Sequence, residues 1–444
     1  MARSLAARSR AGKALRAPDR CGRSATRAGV TAASTPPRCR RRTMPAPSCT
    51  SIAMPTLRPI VLACVALLAA CAEPAPPAAD ASATAPAPAT GTPDAAADAA
   101  PGETDPAEVA PLYRQLRDFT VACDNGLACE AIGVNDGAFG LVLRLSRAPG
   151  DDGAQRLRLG SADGAPDPAA LRLDGAAVPG LAGLPWQRDD DADALTLDAA
   201  ADIDAFLALV GDGTRLSAGT GEDAPSLSLS GLRAALLLVD EHQQRLDTPG
   251  AWARRGGRDP AAVPGAPALP RLHAAAAPPP LPPEDTARLT AAVRTQADAA
   301  LREAHCDAPL DGFDIREQDA AYPLDAEHAL VFVACLNGAY QASSLAFRVA
   351  REGGEVARVV PPAPPGLDDV RDEDFALLTN AGYDPGTATL SHFAKGRGLA
   401  DCGEAAQWRY DGEVFRLADY AALRRCGGAA PGDFPTLWRT GAAP

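Results

Sequence analysis

Apolar and polar residues alternate with a period of two through much of the chain beyond residue 106. Phe119-Thr-Val-Ala122 leads into Cys123, and Cys129-Glu-Ala-Ile-Gly-Val134 leads out again. Asp124-Asn125-Gly126 between them carries turn chemistry. "GLVLRLSRA" (140–148), "QRLRLG" (155–160) and "LRLDG" (171–175) place every second side chain on one face, which predicts half-buried strands. The period then lengthens. Ile203, Phe206, Leu207 and Val210 share a helical face that Gly211 closes. Leu227 and Leu229 return to alternation, and Ser230 stands where an N-cap belongs. Leu232, Ala235, Leu236, Val239 and Leu246 then predict a second amphipathic helix ending near Asp247.

The pattern starts afresh after a proline-rich stretch. Leu289, Ala292, Val293, Ala299 and Leu301 predict a helix over about 284–303. "HALVFVAC" (328–335) and "YQASSLAFRVA" (340–350) read as strands joined by Leu336-Asn337-Gly338-Ala339. Asp411-Gly412 between "AQWRY" and "EVFRL" predicts a two-residue type I′ hairpin. The fold class is therefore α+β: two antiparallel, β-rich domains with a few helices each, over 107–258 and 286–444. The Pro-rich linker 259–285, with "PGAPALPRLHAAAAPPPLPPED", separates them.

The first hundred residues read differently. Met54 opens a short basic lead, and Pro59 to Ala70 is apolar. That run has the length of a signal-peptide core and falls short of the roughly 20 residues that span a bilayer. Leu68-Ala69-Ala70-Cys71 resembles the lipobox of bacterial lipoproteins. The resemblance implies cleavage before Cys71 and lipidation of its thiol, so 54–70 is the expected lipoprotein signal. Residues 1–53 hold twelve Lys or Arg and one acid with no apolar period, and read as a mis-annotated leader ahead of the true start. Residues 71–106, almost wholly Ala, Pro, Asp and Thr, read as a disordered tether.

Dropping the leader changes the charge. The full chain is −13, and residues 1–70 contain thirteen bases and one acid, so the mature chain is −25. Such a surface excludes nucleic acid as an expected partner and favours a basic periplasmic protein or peptide. Lys395 is the one lysine left in the mature chain. Of eleven cysteines, four fall in the leader and signal and Cys71 takes the lipid, leaving Cys123, Cys129, Cys306, Cys335, Cys402 and Cys426. An even number in an exported protein implies disulfides. Six leave the connectivity open; the sequential set, 123–129, 306–335 and 402–426, is the expectation. Their spacing lacks CxxC and histidines are few, so neither a metal nor a cofactor is expected.

"SHFAKGRGLADCG" (391–403) is the stretch richest in candidate chemistry, with Lys395, Arg397 and Asp401 as possible binding residues. It is no phosphate-binding loop, since GxxxxGK[ST] is missing. Ser391 and His392 are neighbours on a predicted strand and point to opposite faces. The plain reading is a tight loop held by Cys402, with Arg397 or Lys395 paired to Asp401. "QRDDDADA" (187–194) clusters Asp189, Asp190, Asp191 and Asp193 without EF-hand spacing and reads as a solvated acidic loop. His242, Gln243 and the tryptophans at 186, 252, 408 and 438 read as packing or surface residues. No nucleophile elbow, HExxH or dinucleotide fingerprint is present.

"VACDNGLACEA" (121–131), "SGLRAALLLVDEHQQRLDTPGA" (230–251), "VACLNGAYQASS" (333–344), "AKGRGLADCGEAAQWRYDGEVFRL" (394–417) and "RRCGGAAPGDFPTLWRT" (424–440) together resemble the bacterial domain of unknown function 1176 family. The resemblance covers about Phe119 to Trp438 with six cysteines in register. It implies an exported protein of a Gram-negative bacterium and carries over no catalytic residue. The long tether and Ala400 depart from the family pattern. The expectation is thus an envelope lipoprotein, anchored in the periplasm to the outer membrane, with a binding or structural role. The alternative is a periplasmic hydrolase of cell-wall or glycan material with its site near 394–403.

Overall fold

A computed structural model of the chain describes residues 109–135, 137, 140–306 and 314–441. The expected leader 1–53, signal 54–70, lipidated Cys71 and tether 71–106 lie outside them. The described residues form antiparallel sheets with a few helices, as the periodicity predicts. Among them no helix is long and apolar enough to cross a membrane.

Strands β1 (Leu112–Leu116), β2 (Phe119–Cys123), β3 (Cys129–Gly133), β4 (Leu141–Arg147) and β5 (Gln155–Ser161) make a meander. β6 (Leu171–Leu173) and β7 (Ala176–Ala177) leave it, α1 (Pro179–Ala182) follows, and β8 (Gln187–Asp189) with β9 (Ala194–Leu197) returns to it. The seven strands run β1-β2-β3-β4-β5-β9-β8. After α2 (Ala200–Val210), β10 (Arg215–Ala218) and β11 (Ser226–Ser228) complete a second sheet, β11-β10-β6-β7. One face of the first sheet carries α2 and α3 (Leu232–His242): Phe119, Leu143 and Leu157 share a buried cluster with Phe206, Ala235 and Val239.

On the other face β3 and β4 are covered, so the half-buried reading of 140–148 needs correction, while β5 alternates as read. Ile132, Val134 and Val142 form a cluster with Leu423, Ala429 and Phe434 from the far end of the chain. Arg144 is consequently only 5% exposed, although it stands at a polar position of the alternation.

The ends of α3 also differ from expectation. The cap is Gly231, at φ 99°, not Ser230, and a Cβ there would stand 2.0 Å from the Leu116 carbonyl oxygen, so only glycine fits. The helix stops at His242 because the next turn has another task. Arg245, 1% exposed, donates to the Ala148 carbonyl at 2.9 Å and to that of Gly150, capping the end of β4.

The later half begins with α4 (Pro283–Gln296) and α5 (Asp298–Glu303), two helices where one was predicted; Ala297 breaks them at ψ 12°. β12 (Ala320–Pro323), β13 (His328–Asn337), β14 (Ala342–Ala350) and β15 (Val356–Val359) form a third sheet in chain order, with β16 (Leu378–Thr379) also paired to β14. β17 (Gly382–Asp384), β18 (Thr389–Lys395), β19 (Gly403–Tyr410), β20 (Phe415–Leu423) and β21 (Thr436–Arg439) form the fourth. Leu330 and Phe332 of β13 join Phe375, Trp408 and Tyr420 in the core between these two sheets. Ala329, Val331 and Val333 turn the other way, onto Leu289 and Val293 of α4. Burial on both faces is why "HALVFVAC" reads as an unbroken apolar run.

At 411–414 the predicted type I′ turn does not form. That turn needs positive φ at both central residues, and only Gly412 has it, at 110°. The Asp411 carboxylate instead accepts from the Glu413 and Val414 amides at 2.9 Å each. The three disulfides follow the sequential set: Cys123–Cys129, Cys306–Cys335 and Cys402–Cys426. The proline-rich stretch is tied down: Pro264 accepts from the Gly150 amide, Ala275 donates to Tyr410, and Pro279 accepts from Arg351.

Candidate functional site

The 391–403 stretch folds as a strand and a tight loop. Arg397 and Asp401 pair, with Arg397 Nε 2.7 Å from Asp401 Oδ1. The other oxygen of Asp401 accepts from Arg397 Nη2 and from the Gly427 and Gly428 amides, at 3.1 and 2.7 Å for the two amides. Burial pushes the Asp401 carboxyl up, but hydrogen bonds from Arg397 and Gly428 outweigh it and hold the group below the ordinary carboxylate range. Both oxygens are therefore engaged in structural hydrogen bonds, which suits a clamp. The clamp sits beside the Cys402–Cys426 disulfide, so one acid and one cystine fix the 424–434 loop to the 396–403 loop. Gly403, at φ 142°, permits the crossing: a Cβ there would lie 2.1 Å from the Ala394 carbonyl oxygen. Lys395 points elsewhere, its ammonium 5.8 Å from the centre of the Tyr340 ring.

The fixed loop covers the polar face of the first sheet. Arg144 on β4 faces Arg158 on β5 as a direct cross-strand pair, and two like charges so placed repel. Asp433 resolves the conflict. Its carboxylate lies 3.3 Å from Arg144 Nη1 and bonds Arg158 Nη2, while its carbonyl oxygen accepts from Arg144 Nη2. Glu130 on β3 adds a second acid, 3.0 Å from Arg144 Nη1. Arg144 Nε is buried and has no hydrogen-bond partner among the described residues. Phe434 anchors the loop by stacking on Phe393, with ring centres 5.8 Å apart.

A cleft of about 260 Å³ opens over this network. Its floor is Arg144 and Arg158, one wall is Asp433 and Asp401, and its rim includes Leu399 and the turn between β8 and β9. That turn is the acidic motif of the sequence. Asp190, Asp191 and Asp193 are exposed, and Asp191 and Asp193 line the cleft. Asp189 folds back to accept from the Ala192 amide at 3.1 Å. The two motifs singled out in the sequence, 187–194 and 391–403, thus meet across one cavity. Lys395 is not among its lining residues.

Arg144, Arg158, Glu130 and Asp433 were missed by sequence reasoning. An arginine between leucines was the one signal, and it matches any strand with a solvated face. Arg144 and Asp433 stand 289 residues apart. The expected packing residues behave as such: Trp408 is fully buried and donates to Pro362 O at 2.7 Å, and Trp252 donates to Gln155. Two groupings of possible metal-ligating atoms occur among the described residues, and in both the sulfurs are already joined as cystines.

Comparison with known proteins follows the same boundaries. The family model described as "Protein of unknown function (DUF1176)" matches residues 113–441. The "Uncharacterized protein YpfG" of Escherichia coli (strain K12) is 34% identical over 341 residues, covering 74% of this chain and 94% of that protein. No solved structure matches. The resemblance seen in the cysteine-bearing stretches is borne out, and the chain belongs to the DUF1176 family of proteins of unknown function.

Proposed function

We propose that this protein is a lipid-anchored binding protein of the bacterial envelope, held through Cys71 to the outer membrane and facing the periplasm. Its cleft receives a cationic group of a basic protein or peptide. The observation that carries this reading is the convergence of exposed Asp191 and Asp193 with exposed Leu399 on the rim of one cavity. Acids on an open rim attract a guanidinium or ammonium, and an apolar neighbour packs its methylene stem. The mature charge of −25, with residues 1–70 removed, adds long-range attraction. A binding role also fits an Asp401 whose oxygens are spent on structure.

The test is titration calorimetry with a short arginine- and lysine-bearing peptide at low and high salt, on wild type and on Asp191→Asn/Asp193→Asn. Binding that weakens with salt and falls about tenfold or more in the double variant supports the reading, since two rim charges at about 1 kcal/mol each sum to more than a decade. Equal affinity in both proteins refutes it. Intact mass of the membrane-extracted protein, with and without reductant, tests the anchor and the cystines together. A mass without an acyl group removes the anchoring half of the proposal.

A further inference from the structure

Away from the acidic rim, the floor of the cleft has the opposite preference. Two guanidinium groups, Arg144 and Arg158, are set side by side by strand register, where cross-strand repulsion would otherwise separate them. Arg156 on the same face is already bonded to Asp198 at 2.6 Å. Among the described residues the acids paired to these arginines are Glu130, on Arg144, and Asp433, on both. With Asp433 in place the four charges balance. With it withdrawn, two guanidiniums face one carboxylate, and the buried Arg144 Nε still lacks an acceptor.

We propose that Arg144 and Arg158 form a binding site for a small oxyanion, a carboxylate or a phosphate, and that the Asp433 side chain is its tethered occupant. The geometry matches what each group needs. Guanidinium forks recognise planar carboxylates and phosphates with paired hydrogen bonds, and Arg144 Nε is a buried donor with no acceptor among the described residues. Asp433 arrives on a loop, not on the sheet that bears the arginines. That loop, from Gly427 to Phe434, has positive φ at Gly428 and Gly432, at 85° and 76°. It is fixed at its start by the cystine and the Asp401 clamp and at its end by the Phe393–Phe434 stack. Between these points, Gly432 donates to Ala400 O at 2.9 Å and Asp433 itself is held by a turn bond to Ala430 O. A free oxyanion that replaces the Asp433 carboxylate breaks those contacts and leaves both anchors intact, so the loop is a ligand-exchanged latch. The arginines and the acidic rim line one cavity with opposite charge preferences; Arg158→Gln tests the first and Asp191→Asn/Asp193→Asn the second.

The experiment uses the mature chain, wild type and Asp433→Ala, with Asp433→Asn as the isosteric control should the alanine variant fold poorly. Inorganic phosphate and sodium acetate are the probes, each against sodium chloride at equal ionic strength. Three readings are expected. Phosphate or acetate binds the Asp433 variants at least tenfold more tightly than wild type, because the tethered competitor is gone. In wild type, millimolar probe raises amide hydrogen exchange at 428–434 and leaves the amides of β18 unchanged. Adding Arg158→Gln to either Asp433 variant abolishes binding. Whichever probe binds more tightly identifies the chemical source. Equal binding to wild type and both Asp433 variants, or none to any of them beyond chloride, overturns the proposal. So does binding that survives Arg158→Gln.

Discussion

Removing the Asp401 carboxylate measures how much of the fold hangs on one buried acid. Asp401 is 2% exposed and receives four hydrogen bonds, two from Arg397 and two from the Gly427 and Gly428 amides. In Asp401→Ala the guanidinium of Arg397, whose side chain is 32% exposed, regains water at modest cost. The two amides fare worse, because each buried donor left without an acceptor costs about 1–3 kcal/mol. Summed with the lost charge-assisted pair, the variant should lose about 3–5 kcal/mol, in the range measured when one partner of a buried pair is removed. Asp401→Asn keeps one oxygen for the amides and should lose about half as much. Equilibrium urea unfolding, read by tryptophan fluorescence, checks this. At an m-value of about 3 kcal/mol/M the alanine midpoint falls by about 1 M or more with the slope unchanged. The pH dependence gives a second handle. Because the folded carboxyl titrates below its unfolded value of about 3.9, its contribution is complete above about pH 4 and is lost as pH falls through the folded value. The wild-type minus Asp401→Asn difference should therefore be flat from pH 5 to 7 and shrink below pH 4. An alanine variant within 1 kcal/mol of wild type at pH 7, or a difference that grows in acid, refutes the clamp.

Three further outcomes follow from the same structure. Cys402→Ala/Cys426→Ala opens a bridge of sequence separation 24, and the chain-entropy relation puts the loss at about 3.5 kcal/mol, readable by thermal unfolding against the oxidised protein. Gly403→Ala forces a Cβ to 2.1 Å from a carbonyl oxygen at a φ of 142°, and should cost about 3 kcal/mol or more by urea unfolding, whereas Gly257→Ala, with open space around it, should stay within about 1 kcal/mol. Burial lowers the His242 pKa, so the neutral ring is favoured in the fold; its stabilising share is complete above the unfolded value of about 6.5 and is lost as pH falls towards the folded one. His242→Gln should therefore gain on wild type between pH 7 and pH 5 in unfolding titrations.

The strands were legible because alternation is a local property. "LVLRLSR" and "QRLRLG" differ from helix by period alone, and both became strands, β4 and β5, as read. What failed was local chemistry overruled by distant contact. Ser230 has the side chain of a cap, yet its carbonyl is used by the Asp118 amide, and the tight approach of Leu116 O demands glycine at 231. Leu246 continues the helical period of α3, yet Arg245 beside it is needed at the end of β4. The Asp411-Gly412 signal located a hairpin correctly and misjudged its turn type, since the aspartate side chain bonded forward along the chain. The 391–403 loop was read well because its pair, Arg397 and Asp401, lies four residues apart and its cystine partner is close in sequence.

The cleft belongs to the opposite case. Alternation says on which face of a strand a residue stands, and nothing in it says what covers that face. Arg144 would be an ordinary solvated side chain if Leu423 and Phe434 were elsewhere; their arrival takes it to 5% exposure and turns a surface charge into one that needs a partner. Asp433 meets that need from 289 residues away, on a segment whose own sequence, "PGDF", signals only a turn. The same burial explains why the network is the place to look for function. A sheet face closed by leucine and phenylalanine would hold the two halves of the chain together with no charge to desolvate, and buried ion pairs stabilise no better than such packing. Keeping Arg144 buried there, with one donor left unused, carries a cost that a purely structural seam avoids. Oxyanion exchange at Asp433 supplies the missing reason, and the Arg158→Gln background separates that reason from packing.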